Sequence, residues 1–307
     1  MRPKVSVIGA GNVGATLTQR LAERDVADLV LVDIVEGLAE GKALDLLEAG
    51  PIVGYNSQVV GGTDYALTAG SRVVVITSGL ARKPGMTRDD LVRTNAGIVG
   101  DVTRAVVAGS PEAILIVVTN PLDAMVHQAL RVSRLPRERV LGMAGVLDTA
   151  RFRCFLAQEL KVAVENVQAH VLGGHGDTMV PLIGMTTVAG VPISRLLESA
   201  PLEAIVARTR DGGAEIVRHL KTGSAFYAPS AAAAQMVEAV LLDTHVILPC
   251  AVELRGEYGL EGVVMGVPAQ LHAGGLERVV EMDLDADERA ALHRSAEAVR
   301  QLLAVLA

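Results

Sequence analysis

The sequence predicts an α/β fold: an N-terminal domain on a doubly wound parallel sheet over residues 1–145, then an α+β lobe over residues 146–307. Three observations carry this reading. Short, continuously apolar, β-branched runs alternate with amphipathic stretches through the first half, the pattern of parallel strands covered on both faces. A GxGxxG turn sits between the first such run and the first amphipathic stretch. Beyond Gly145 the alternation gives way to longer helices mixed with alternating strands.

In the first domain the expected strands are Val5–Ile8, Leu29–Val32, Val59–Val60, Val73–Ile76 and Ile114–Val118, with helices over Val13–Arg24 and Gly37–Leu47. Right-handed crossovers between such strands place ligands at their carboxyl ends. In the second lobe, helices are expected over Thr149–Leu160, Leu202–Leu220, Ala225–Leu242 and Ala286–Leu306. Its strands fall near Val167–Leu172, Val246–Val252 and Gly262–Val267. The alanine-rich helix Ala225–Leu242 suits either a core or an interface. No low-complexity linker separates the lobes, so they are expected to pack directly, with the site between them. The segment Ser78–Thr87 carries Lys83-Pro84-Gly85, which resists regular structure and reads as a functional loop.

Composition narrows the function. Half the residues are hydrophobic but only 2% are aromatic and Trp is absent, so the core is built from Val, Leu, Ile, Ala and Met. A net charge of −7 without a basic block argues against nucleic acid as a partner. No strictly apolar run is longer than that of Ala113–Val118, far short of the roughly 20 residues that span a bilayer, so no membrane partner is expected. Gly9 and Gly11 interrupt the apolar run after Arg2 and Lys4, which is not a signal-peptide core. Cys154 and Cys250 are too few and too distant for a disulfide framework or a zinc site. A soluble cytoplasmic protein without a metal is the expectation.

Gly9-Ala10-Gly11-Asn12-Val13-Gly14 follows a strand and opens a helix, and Asp33 closes the next strand about 20 residues on. The glycines allow a tight turn, close approach of a pyrophosphate and close helix–strand packing. The helix N-terminus offers unpaired N–H groups to phosphate. Asp33 would accept from ribose hydroxyls and repel a 2′-phosphate, which favours NAD over NADP. Thr119-Asn120-Pro121 ends the strand Ile114–Val118 at the same edge of the sheet. There Asn120 either turns its amide toward the nicotinamide or substrate, or caps the following helix.

The chemistry is expected at Val171-Leu172-Gly173-Gly174-His175-Gly176-Asp177-Thr178. A histidine of ordinary pKa about 6.5 exchanges a proton near neutral pH, and flanking glycines leave room for a small substrate. Arg82 and Arg88 lie in or beside the Pro84-Gly85 loop, where a hinged flap carrying arginines would suit an anionic ligand. Asp148 and Arg151 share a helix face at i,i+3. They form either a local ion pair or a pair of tools: Asp148 to hold His175, Arg151 to grip a carboxylate.

Taken in order, Gly9-Ala10-Gly11-Asn12-Val13-Gly14, Ala81-Arg82-Lys83-Pro84-Gly85-Met86, Thr119-Asn120-Pro121, Leu147-Asp148-Thr149-Ala150-Arg151 and Gly174-His175-Gly176-Asp177 resemble the lactate/malate dehydrogenases across essentially the whole chain. The loop is most similar to the lactate-dehydrogenase-like branch of malate dehydrogenases. The resemblance implies a Rossmann domain followed by a substrate domain, NAD as cofactor, a small dicarboxylate (malate/oxaloacetate) as substrate, and a homo-oligomer, dimer or tetramer. It further implies that Arg82 selects the substrate, Arg88 polarises its carbonyl and Arg151 binds the carboxylate beside the reacting carbon. The His175–Asp148 pair would handle the proton, with Asn95, Val118, Thr119 and Asn120 at the cofactor. Around Gly223-Ser224-Ala225 it assigns no side chain to the substrate. Lactate dehydrogenases carry glutamine where Arg82 stands. An arginine buried against a methyl group would cost several kcal/mol, so Arg82 argues for a second carboxylate.

Rival readings have less behind them. An NAD-dependent glycosidase would need a metal held by Cys and His, for which Cys154 and His175 are the candidates. A nucleotide sensor would need none of the charged set. Short-chain dehydrogenase chemistry needs Tyr followed four residues later by Lys, and Tyr227 is followed by Ala231.

Overall fold

The computed structural model describes residues 2–80 and 86–306. The first domain runs β1 (Lys4–Ile8), α1 (Asn12–Arg24), β2 (Asp28–Val32), α2 (Leu38–Val53), β3 (Val59–Gly62), β4 (Val73–Ile76), α3 (Arg88–Gly109), β5 (Ile114–Val117), α4 (Leu122–Ser133) and β6 (Val140–Gly142). Successive side chains of a strand point to opposite faces, and the cores follow that period. Val5, Val7, Leu29, Leu31, Val73, Val75, Ile114 and Ile116 enter one apolar cluster. Their neighbours Ile8, Val30, Val32, Val74, Ile76, Leu115 and Val117 enter the other. Continuous apolar strands therefore need helices on both sides, as the sequence pattern requires.

The parallel strands run β3-β2-β1-β4-β5-β6, so the order reverses between β1 and β4. That is the switch point at which ligands bind at the carboxyl ends of the strands. Helix α3, which the sequence reading passed over, spans 22 residues and begins with a capping box between Thr87 and Asp90. Its buried face, Val92, Asn95, Ala96, Val99, Val102, Thr103 and Val106, has helical spacing but includes two polar side chains that dilute the apolar signal.

The second lobe adds α5 (Gly145–Leu160), β7 (Val167–Gln168), β8 (Val171–Leu172), β9 (Val180–Pro181), β10 (Thr187–Val188), β11 (Val191–Pro192), α6 (Ser199–Leu220), α7 (Tyr227–Leu241), β12 (Ile247–Arg255), β13 (Glu261–His272), β14 (Gly275–Val279) and α8 (Ala286–Leu303). Two expectations are refined. The stretch Val167–Leu172 is not one strand: β7 pairs with β10, whereas β8 pairs with β9. The long strands β12–β14 form no separate sheet but extend the first one, antiparallel, beyond β6. Among the described residues this gives nine strands in a single sheet. A third apolar cluster around Phe152, Leu156, Val167, Val171 and Met179 packs α5 and α6 together at the far side. Helix α7 is core: Ala232, Ala233, Ala234, Met236, Val237, Ala239 and Val240 are buried.

The lobes meet where Gly142 of β6 pairs with Ala251 of β12. A Cβ on Gly142 would stand 2.5 Å from Val126 Cγ2 and 2.9 Å from Ala251 Cβ. Close packing explains the glycine, and overpacking a tight core typically costs 1–3 kcal/mol. Gly142→Ala is therefore expected to lower unfolding stability by about 1–3 kcal/mol, read as a shift of the urea midpoint at unchanged slope.

Candidate active site

At the switch point the glycine turn has three separate geometric reasons. Gly9 has φ +107°, and a Cβ there would meet Thr77 Oγ1 at 2.7 Å and the Ser78 main-chain nitrogen at 2.9 Å. Gly11 has open space above it, so a ligand can come down onto the backbone. Gly14 packs against the Gly9 carbonyl, where a Cβ would overlap. Gly11 caps α1 without a side-chain hydrogen bond, and no acidic residue occupies the first turn. The leading N–H groups, those of Asn12 and Val13 included, are thus left for an anion. Asp33 directly follows β2, with Oδ2 accepting from the Ala10 main chain at 2.6 Å and Oδ1 from Val35 at 3.0 Å. Lys42 of α2 donates to the Ala10 carbonyl at 2.6 Å, clamping the turn from its other side. Gly9, Gly11 and Asp33 line a groove of about 440 Å³. The donor-rich turn and the Asp33 carboxylate fit a pyrophosphate and a ribose, as NAD requires, and Asp101 also lines the groove.

Across Thr77, Gly79 and Leu80, which line both spaces, lies a second cavity of about 480 Å³. Val13, Val118, Thr119 and Asn120 are among the residues that line it. Thr119 Oγ1 donates to the Ser78 carbonyl at 2.6 Å. Asn95 is 1% exposed and its amide is fully used: Oδ1 accepts from Leu80 N–H at 2.8 Å, and Nδ2 donates to the Leu80 and Asn120 carbonyls at 3.0 and 2.7 Å. In this structure Asn95 ties the ends of β4 and β5 together rather than facing the cavity. Asn120 does not cap α4 through its side chain; Pro121 occupies that position, and the peptide between them is cis.

His175 and Arg151 line the opposite wall. Helix α5 begins at Gly145, so Asp148 falls in its first turn, where a negative charge is favoured. Its carboxylate is 2% exposed and holds both neighbours, His175 Nδ1 at 2.8 Å on Oδ2 and Arg151 Nη1 at 3.3 Å on Oδ1. The His175 side chain is 17% exposed and that of Arg151 is 13% exposed. Burial works against the imidazolium, but the charge and hydrogen bond of Asp148, with Asp123 adding to them, prevail over it. They hold the His175 pKa above the ordinary histidine value. Arg151 lies against α6 at Gly212, where a Cβ would stand 3.0 Å from its Cδ. A base held in one tautomer beside a cation, over a cavity adjoining a dinucleotide groove, can move a proton on a bound anion.

Not every expected residue gathers here. Arg88 is the exposed first residue of α3; Leu91, one turn later, reaches the cavity instead. Arg82 lies outside the described residues, as do Ala81, Lys83, Pro84 and Gly85. Sequence reading missed Met143, Leu147, Gly213 and Val217 as lining, and Ser224 and Ala225 also face the cavity. Only the spacing of Leu147 to Arg151 on one helix face could have signalled any of these. Cys154 is exposed, and among the described residues no group of three His, Cys, Asp or Glu side chains is placed to hold a metal.

Comparison with known proteins agrees with this geometry. The family model for the lactate/malate dehydrogenase NAD-binding domain matches residues 3–142, and that for the α/β C-terminal domain matches residues 145–305. A malate dehydrogenase of Thermomicrobium roseum is 61% identical over 303 residues, covering 99% of this chain and 98% of the relative. Among solved structures, a malate dehydrogenase of Salinibacter ruber superposes with TM-score 0.95 at 53% identity, covering 99% of this chain and 97% of that one. A lactate dehydrogenase of Cryptosporidium parvum, complexed with lactic acid and NAD, gives TM-score 0.97 at 41% identity, covering 100% and 98%. With its glycine turn, its switch-point groove and both domain models matched in order, the chain belongs to the lactate/malate dehydrogenase family, and its first domain is the NAD-binding domain of that family.

Proposed function

We propose that this protein catalyses the NAD-dependent, reversible oxidation of (S)-malate to oxaloacetate. The observation that carries the reading is the Asp148–His175–Arg151 cluster, built on a buried carboxylate, on the wall of a cavity that shares lining residues with the dinucleotide groove. The name of the Thermomicrobium roseum relative supports malate over lactate, and so does Arg82, where the family's lactate enzymes have glutamine.

The bound nicotinamide supplies the hydride acceptor. Every other part falls to this chain. Asp148 engages Nδ1 of His175, so Nε2 is the nitrogen available to the substrate hydroxyl. Neutral His175 accepts the hydroxyl proton as the C2 hydride departs, and Asp148 stabilises the imidazolium that results. Arg151 pairs with the carboxylate beside C2 and Arg82 with the distal carboxylate. In the reverse direction Arg88 stabilises the charge developing on the carbonyl oxygen, which requires its exposed side chain to turn in from the start of α3. Asn120 lines the cavity, where its amide serves substrate or nicotinamide. Gly9, Ala10, Gly11, Asn12, Val13, Gly14 and Asp33 would hold the pyrophosphate and ribose end of the dinucleotide. Val118 and Thr119 wall the nicotinamide end, and Asn95 braces that wall. The domain division near residue 145 belongs to the same reading.

So does a cytoplasmic homo-oligomer. Cys154 and Cys250 are free thiols, as in a reducing compartment. Leu44, Leu47, Ile52 and Val53 of α2 are exposed apolar side chains of the kind a second copy would cover. Among the described residues no helix is long and apolar enough to cross a membrane.

Three outcomes test the proposal. His175→Gln should lower kcat with oxaloacetate by about 10²–10⁴ while NADH binding, followed by fluorescence, is retained. Arg82→Gln should cost oxaloacetate about 2–5 kcal/mol in kcat/KM and pyruvate far less; an unchanged preference for oxaloacetate would rule out the role given to Arg82. The proton step sets the pH dependence. Since the His175 pKa is raised, the neutral base needed for malate oxidation appears only as pH climbs through a midpoint above 6.5. The imidazolium needed for oxaloacetate reduction is lost through the same range. Initial rates in both directions across pH should show opposite limbs with one shared midpoint, and Asp148→Asn should move it acidward.

A further inference from the structure

A second carboxylate, not among the residues that line the cavity, is buried against the His175 main chain. Asp123 lies in the first turn of α4 and is 3% exposed. Its Oδ2 accepts from the main-chain N–H of His175 at 2.9 Å, so α4 fixes the backbone of the residue whose ring α5 holds. Its Oδ1 is buried and, among the described residues, has no hydrogen-bond partner. The adjoining turn is pinned from α8, where Ser295 Oγ accepts from Gly174 N–H at 2.8 Å and donates to Thr178 Oγ1 at 3.0 Å. A Cβ on Gly174 would stand 3.3 Å from Asp123 Oδ2 and 2.8 Å from Val299 Cγ2, so the fit is close.

A buried carboxylate with one idle oxygen is expensive to keep for anchoring alone, because a neutral amide would accept the same N–H. What an amide cannot supply is negative charge near the ring. On the reading that His175 is the proton carrier, we propose that Asp123 is a positioning residue for the reaction. It fixes the His175 main chain and, as a carboxylate, joins Asp148 in favouring the imidazolium. The charged groups facing this pair are Asp148 and Arg151 of α5. Helix α8 presents Ser295 and Val299, the turn presents Thr178 and β13 presents Gly266, none of which titrates near neutral pH. Burial pushes the Asp123 carboxyl up to about 6 against the opposing pull of the His175 N–H and charge. Its free Oδ1 gives the proton a place, so Asp123 and His175 titrate as a coupled pair.

The test is the pH profile of malate oxidation by Asp123→Asn, with Ser295→Ala as comparator. Asparagine retains an acceptor for the His175 N–H but removes the charge. Its midpoint should move acidward by about 0.5–1 unit, since a nearby opposite charge shifts a pKa by up to 1–3 units at contact distance. Ser295→Ala loosens the turn without changing charge and should leave the midpoint in place. A lower kcat for Asp123→Asn at an unmoved midpoint would overturn the proposal, reducing Asp123 to a structural anchor. If Asp123→Asn does not fold, the wild-type protein decides through the NMR titration of its ¹⁵N-labelled His175 ring. Two inflections are expected, and a single one overturns the coupling. Wild-type protein inactive with oxaloacetate would remove the proposed reaction and this role with it; active wild-type protein indifferent to Asp123→Asn removes this role alone.

Discussion

The site depends on one buried carboxylate. Asp148 has almost no contact with water, and an isolated ionised carboxylate in that position would be too costly to keep. Its charge is met three ways: by the N-terminal turn of α5, by the His175 ring at 2.8 Å and by the Arg151 guanidinium at 3.3 Å. The compensation also orients the chemistry. Because Asp148 takes Nδ1, the histidine tautomer is set. Because the same carboxylate takes Arg151, the cation stands within reach of whatever His175 touches. Removing the carboxylate would leave a buried cation and an unfixed ring at once.

A second constraint is how closely backbones approach. The turn after β1 folds back on itself tightly enough that Gly14 lies against the Gly9 carbonyl. Asp33 and Lys42 then hold Ala10 from both directions. These contacts hold the turn in shape, and the start of α1 carries no side-chain cap. Thr77, Gly79 and Leu80 connect this groove with the cavity of His175. These shared residues put the glycine turn on one side and the His175 ring on the other. The join of β6 to β12 brings the two walls into register, since α5 leaves the sheet directly after Gly142.

Much of this was legible in the chain. Strands β1, β2, β4 and β5 lie within a residue of their expected limits, because strands buried on both faces must be apolar throughout. The Gly9–Gly14 turn and Asp33 were readable because backbone geometry leaves few alternatives to glycine and to a strand-end carboxylate. The i,i+3 pairing of Asp148 with Arg151 followed from helical spacing. What escaped was whatever depends on a distant partner. Alternation over Val167–Leu172 marks extended chain but not which strand it pairs with, and the structure divides it between two sheets. Helix α3 was obscured by Asn95, whose amide is satisfied by Leu80 and Asn120 across the fold. Asp123 gave no signal at all, since an aspartate in a first helical turn is ordinarily just a favourable surface charge.

The sequence by itself determined the local geometry: the parallel α/β order, the glycine turn, the helix that carries Asp148 and Arg151, and the small-residue turn around His175. Each rests on the period of side chains or on the φ of a glycine, and both are properties of the chain over a few residues. Only the tertiary structure decided which charges became buried together, and that β12–β14 continue the first sheet. It likewise gave His175 two carboxylates, from α4 and α5, rather than one. Burial and electrostatic coupling depend on distances between segments remote along the chain, and such distances exist only once the chain has packed.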